Sequence, residues 1–138
     1  MINLLSPQDA LIATMIIVSA ADRDMSDSEL KEIGATVQIL PIFKDYDRDR
    51  IGGVAQAVAD MLQEETGLET VLGLIKKTVP DALYETVYAV ACDIAAADGE
   101  IQIEEMRLLE MFRETLGVER LAAAAIERGS RARHMKLV

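Results

Sequence analysis

AAADGEIQIEE, residues 95–105, places an Asp-Gly pair after a run of alanines and follows it with three glutamates. A looser copy, SAADRDMSDSE, stands 76 residues earlier at residues 19–29. In each copy a mostly apolar run precedes the acidic turn, and an amphipathic pattern of helical period follows it. The sequence therefore predicts two related helix–acidic turn–helix units, and we expect them to pack around a pseudo-twofold axis.

Helical periodicity continues through the rest of the chain, and no segment shows sustained strand alternation. Ser6 and Pro7 form a typical helix start, with a capping residue followed by proline at the first helical position. The sequence predicts an all-α domain of about seven helices. The predicted ranges are 7 to about 21, from the capping box at 26–29 to Pro41, about 47–65, about 68–78, from Pro80 to about 98, 102–116 ended by Gly117, and 118–129. We place the helical domain at residues 1–129 and a basic C-terminal tail at 130–138.

Composition supports a single domain with an aliphatic core. The 138 residues are 51% hydrophobic but only 4% aromatic, a palette that suits helices better than sheets. The net charge is −10, the opposite of the balance needed to contact phosphates, so we expect no nucleic-acid partner. The last eleven residues, 128–138, contain only basic charges, and we expect a frayed, solvated terminus there.

Cellular location follows from the absence of targeting features. Cys92 is the only cysteine, which excludes an internal disulfide, fits a reducing compartment, and leaves a small core residue as its simplest role. The N-terminus lacks the charged region of a signal peptide, and the uncharged stretch at 10–21 is too short to span a bilayer. We expect a soluble cytoplasmic protein with no membrane span of its own.

The acidic residues of the two turns separate into inward and outward sets when they are placed on helices. Glu105 falls on the face of Leu109, Phe112 and Leu116, whereas Glu104 falls on the opposite, solvated face. The same projection turns one Asp and one Glu of each copy toward the core: Asp22, Glu29, Asp98 and Glu105. A carboxylate that is turned away from water needs hydrogen bonds, a cation or a proton.

Two interpretations of these acids remain open. In the first, Glu29 and Glu105 cap backbone N–H groups at helix N-termini, and Asp22 and Asp98 close Asx-type turns, so no ligand is needed. In the second, each Asp/Glu pair holds a cation with help from a further carboxylate of its turn. The candidate metal ligands are then Asp22, Asp24, Glu29, Asp98, Glu100 and Glu105.

An all-oxygen ligand set favours a divalent Ca²⁺, Mg²⁺ or Mn²⁺ over a structural zinc. The turns are not EF-hands: counted from Asp22, the sixth position is Asp27 instead of Gly, and the twelfth is Ile33 instead of Glu.

The stretch AAADGEIQIEEMRLLEMFRETLGV, residues 95–118, closely resembles the signature of the TerB-like domain of tellurite-resistance proteins. That signature is a small-residue run, Asp-Gly, a hydrophobic residue, and a Glu seven positions after the Asp, here Asp98, Gly99, Ile101 and Glu105. In the first copy Arg23 replaces the Gly. The resemblance covers nearly the whole chain and implies an all-helical, internally duplicated fold with a metal site built from acids of both motifs.

The resemblance also implies a role in resistance to tellurite and other stresses, with protein partners in membrane-associated complexes. We therefore expect a non-enzymatic, cation-binding docking module, cytoplasmic or peripheral at the inner membrane. The alternative is a metal-free interaction scaffold whose acids are helix caps, and metal-assisted hydrolysis is a distant third. The sequence offers no nucleophile–base pair, and Gly52-Gly53 lacks the Lys-Ser/Thr of a phosphate loop.

Overall fold

The computed structural model describes residues 6–21, 27–97 and 99–137, with the side chains of residues 27–30 left out of the description. Over this part of the chain the fold is all-α and contains no strand, as predicted. Its helices are α1 (Pro7–Ala21), α2 (Asp27–Ile39), α3 (Arg50–Leu62), α4 (Gly67–Thr78), α5 (Tyr84–Ala96), α6 (Ile103–Leu116) and α7 (Arg120–Arg133). None of the described helices is both long and apolar enough to cross a membrane.

Local chemistry explains the helix ends that the sequence predicted correctly. The Asp9 backbone N–H donates to Ser6 Oγ at 3.1 Å, so Ser6 caps α1 and Pro7 opens it. Gly117 ends α6 in the left-handed conformation, with φ at 66°, and its N–H donates back to the Arg113 and Glu114 carbonyls. A side chain at that φ would add strain, which glycine avoids.

Predicted boundaries of three helices were wrong, each because a turn or a longer helix replaces the predicted segment. The third helix begins at Arg50 instead of about 47, since the Asp49 N–H donates to the Asp47 side chain in a turn. Pro80 does not open α5 directly, because a 3₁₀ turn at Asp81–Leu83 intervenes. The seventh helix begins at Arg120 and continues to Arg133, past the predicted end at 129.

The core forms around α1 and α5, the first helices of the two repeated units. Almost every residue of α1 from Asp9 to Ser19 is buried, and in α5 most residues from Val87 to Ala96 are buried. α1 packs against α3, α4, α5 and α6, while α5 packs against α1, α2, α6 and α7. This burial explains the mostly apolar run that precedes each acidic turn in the sequence.

The two units also pack reciprocally. α2, the second helix of the first unit, lies against α5, and α6, the second helix of the second unit, lies against α1. Each unit therefore covers the apolar first helix of the other, which is the arrangement that we expect when two related hairpins share one core.

A partly buried ion pair, which the sequence did not reveal, connects the start of α1 to α3. Asp9 is fully buried, and its carboxylate accepts hydrogen bonds from Arg50 Nε at 3.1 Å and from the Tyr46 hydroxyl at 3.0 Å. A second Arg50 nitrogen, Nη2, pairs with the other carboxylate oxygen. Burial, followed by the hydrogen bond to Asp9, raises the pKa of Tyr46 to about 12. Asp9 therefore joins the first helix of the first unit to the segment that follows the unit's second helix.

We predict that Arg50→Met lowers the free energy of unfolding by about 3 kcal/mol, because it leaves the buried Asp9 carboxylate without its guanidinium partner. Arg48→Met is the matched control, since Arg48 is exposed two residues away, and should change stability by no more than about 0.5 kcal/mol. Urea unfolding of both variants measures the difference. Equal stabilities would show that the Asp9–Arg50 pair contributes nothing net.

Candidate functional site

The acidic turn of the second unit connects the end of α5 at Ala96 to the start of α6 at Ile103. Gly99 has a φ of 90°, and its N–H donates to the Ala96 carbonyl at 2.9 Å, which reverses the chain within a few residues. Glycine takes this φ without steric cost, so the structure explains the Asp-Gly pair of the motif. Asp98 itself lies outside the described residues.

Glu105 is the candidate ligand that the structure places inside the protein. Its side chain is 1% exposed, on the same face as the buried Leu109, Phe112 and Leu116. Its Oε1 accepts a hydrogen bond from the Gln102 backbone N–H at 3.0 Å, which caps the start of α6. The predicted inward direction of Glu105 is confirmed, and so is the helix-capping bond of the ligand-free interpretation.

Of the other candidate ligands, the structure describes the side chain of Glu100 only. Glu100 is exposed at the turn, and Glu104 faces solvent as expected. Asp22 and Asp24 lie outside the described residues, and so does the side chain of Glu29. Where side chains are described, no group of three or more His, Cys, Asp or Glu residues is arranged to hold a metal ion. The structure thus brings Glu100 and Glu105 to one turn, and the six-residue ligand set stays a prediction.

The donors that are described at this turn fit a hard cation in chemical type. Both are carboxylates, the ligand type that Ca²⁺, Mg²⁺ and Mn²⁺ prefer. Glu105 is also held in a fixed direction by the Gln102 N–H, and such preorganisation reduces the cost of ordering a ligand.

The C-terminal segment supplies a residue at the turn that sequence analysis missed. Lys136 lies over Gly99: a β-carbon built on that glycine would sit 3.4 Å from Lys136 Cε and 3.5 Å from Nζ. The expected frayed terminus is wrong for residues 128–133, which belong to α7, whereas most residues from 131 to 137 are exposed, as expected of a solvated terminus. The division into a domain at 1–129 and a tail at 130–138 stays a prediction. The only sequence signal was the concentration of basic residues opposite an acidic body.

Three side-chain contacts hold this segment against the rest of the fold. Arg133 Nη2 lies 2.7 Å from Asp93 Oδ1, which joins the last turn of α7 to α5. His134 Nδ1 lies 2.8 Å from the Ser130 carbonyl, and its Nε2 lies 3.3 Å from Glu32 Oε1 on α2. Asp93 and Glu32 are distant in sequence from their partners, so local pattern analysis could not have identified these two contacts.

Cys92 is buried, as predicted, and is 3% exposed. Burial raises the pKa of its thiol to about 12, so the group stays protonated at neutral pH. A protonated thiol is neither a good nucleophile nor a good metal ligand. The expectation that Cys92 is a core residue is confirmed.

We predict that Glu105→Ala, measured in EDTA, lowers the free energy of unfolding by about 1–3 kcal/mol, because it removes the cap on the Gln102 N–H and empties a buried site. Glu104→Ala, on the exposed face of the same turn, should stay within about 0.5 kcal/mol of the parent. Urea denaturation midpoints report both values. A Glu105→Ala protein as stable as Glu104→Ala would contradict the structural role of the cap.

Comparison with known proteins agrees with the resemblance seen in the acidic repeat. The family model described as Tellurite resistance protein TerB matches residues 8–128, well over half of the chain. Neither the curated proteins nor the solved structures provide a match.

Proposed function

Because the chain belongs to the family of the tellurite resistance protein TerB, we propose that it is a non-enzymatic, acidic helical module of a tellurite-resistance and stress-response system. In this role it binds a divalent cation through its paired acidic turns and docks onto protein partners. The observation that carries the cation-binding part is Glu105, a carboxylate that is 1% exposed beside an Asp-Gly turn. The Gln102 N–H already stabilises this carboxylate through the capping bond, and in this proposal a bound cation stabilises it further.

Individual residues have distinct roles in this proposal. Glu105 is the fixed ligand, since its capping bond prevents it from turning toward solvent. Glu100, exposed at the same turn, is the entry ligand. The other proposed ligands are Asp22, Asp24, Glu29 and Asp98. A bound Ca²⁺, Mg²⁺ or Mn²⁺ would neutralise mutually repelling carboxylates and so order the two turns.

Catalysis has less support than binding. The sequence supplies no nucleophile with a base beside it, and the one thiol is held protonated by burial. The same raised pKa argues against direct thiol chemistry on tellurium compounds. We therefore assign the protein to binding and docking.

We predict that millimolar Ca²⁺, Mg²⁺ or Mn²⁺ raises the melting temperature of EDTA-treated protein by several degrees, since a ligand of the native state stabilises it by mass action. Asp98→Asn should abolish the shift. Glu105→Gln should do so while keeping an oxygen to cap the Gln102 N–H, whereas Glu104→Gln should melt and respond like the parent. Differential scanning calorimetry measures all four proteins.

The absence of a shift with any of the three cations would overturn the metal site and favour the alternative, a metal-free interaction scaffold. The capping bond from the Gln102 N–H to Glu105 is the observation that supports this second candidate. In that case Glu105→Gln would behave like the parent in every solution, and Glu105→Ala would still be destabilised.

In this proposal Lys136 regulates cation binding at the second acidic turn. Its side chain lies over Gly99 at the second acidic turn, so the chain carries its own positive charge where a cation would bind. A divalent cation would have to compete with this tethered ammonium group, which weakens the apparent affinity.

We predict that Lys136→Met lowers the cation concentration needed for half of the maximal thermal shift by about three- to tenfold. Lys77→Met, which removes an exposed lysine from α4, is the control for the change in net charge alone. Equal half-saturation concentrations for the two variants would remove Lys136 from the site. The measurement is a cation titration followed by thermal melting, repeated by isothermal calorimetry.

A further inference from the structure

An open groove of about 880 Å³ lies between α6 and α7. Both helices pack against α5, which provides the floor through Tyr88 and Cys92. Leu109 lines the α6 wall, and Ala123 lines the α7 wall. We call this feature the α6/α7 groove. Its volume is within the range of known binding sites.

Large apolar side chains at the groove are exposed instead of buried. Met106 on α6 is 57% exposed, Met135 after α7 is 69% exposed, and Ile101 before α6 is 42% exposed. Three neighbouring apolar side chains around a concave surface are a feature of binding sites. Methionine adapts its shape to different apolar partners, which suits a surface that receives another protein.

The charge of the α6/α7 groove is opposite to that of the whole protein. The chain has 14 basic and 24 acidic residues, yet four of the basic residues and only two acidic ones, Glu110 and Glu127, line the groove. Glu127 also accepts a hydrogen bond from the Tyr88 hydroxyl. The lining arginines are Arg113 on the α6 side and Arg120, Arg128 and Arg131 on the α7 side. Acidic ligands are therefore attracted to this face, although the net charge of −10 repels them elsewhere.

The lining also contains a buried polar residue. Ser130 is 2% exposed, and its Oγ has no hydrogen-bond partner among the described residues. Buried hydroxyl groups are normally paired, so a water molecule or a ligand that reached this atom would satisfy it.

We propose that the α6/α7 groove binds an acidic amphipathic helix of a partner protein. This inference rests on the docking part of the proposed function and identifies its surface. α6 and α7 have 14 residues each, about 21 Å of helix, so their walls match three to four turns of a third helix. The apolar stripe of such a helix covers Met106, Leu109 and Met135, while carboxylates on its two flanks meet the arginines of both walls.

The test uses a fluorescein-labelled peptide of about 16 residues, stapled as a helix, with Leu or Phe along one face and Glu elsewhere. We expect fluorescence anisotropy to give a Kd of about 10 µM or tighter, weakening as salt is added. A second peptide with Lys in place of every Glu should bind at least about tenfold more weakly. Equal binding of the two peptides, or binding of neither, would overturn the proposal.

Matched variants locate the binding surface. Met106→Glu and Arg128→Glu should each weaken binding of the acidic peptide by about tenfold or more. The controls are Leu121→Glu, which alters an apolar side chain that is 78% exposed, and Arg107→Glu, which reverses an exposed charge on α6. Both control residues lie outside the groove lining, so affinity should stay within about twofold. Equal losses in variants and controls would place the peptide elsewhere.

Two further measurements would recognise other occupants of the groove. Sedimentation that shows a dimer disrupted by Met106→Glu, without peptide binding, would assign the groove to a second copy of the chain. Saturable binding of dodecanoate at the groove in amide chemical-shift maps, again without peptide binding, would assign it to a small amphiphile. Either result overturns the peptide proposal. The cation titration is independent of the peptide assay. A failed peptide assay therefore leaves the proposed metal site standing, and a failed cation titration leaves the proposed groove function standing.

Discussion

The fold depends on the burial of two helices that have almost no polar face. α1 and α5 cannot be covered from one side only, so each needs neighbours around most of its circumference. The reciprocal packing of α2 on α5 and of α6 on α1 meets this need with the two repeated units alone, and α3, α4 and α7 complete the cover. The acidic turns follow the ends of these apolar helices, which is why carboxylates occur next to the core.

The need to bury apolar helix faces made much of the structure predictable from sequence. Apolar periodicity identified the helices, and helical projection correctly turned Glu105 inward and Glu104 outward. Gly117 ended α6 as expected because the left-handed conformation has a strong local signature. These features depend on residues within one or two helical turns of each other, and such information is contained in a short window of sequence.

Interactions between distant residues were not predictable in this way. In the sequence, Asp9 has the position of an ordinary acidic residue in the first turn of a helix. In the structure it is fully buried against Arg50, 41 positions later. Likewise, His134 contacts Glu32 from 102 positions away. A single sequence shows which charges exist but not which ones meet, so the ion pair of the core and the lysine at the acidic turn became visible only in the structure.

The contacts of the last helix continue beyond the end of the family match. The family match stops at residue 128, within α7. Arg133 joins that helix to α5, and His134 joins it to α2, so the residues beyond the match connect both repeated units. A shortened chain cut at the edge of the family match would lose these connections. The family match therefore ends before the residues that join α7 to α5 and α2.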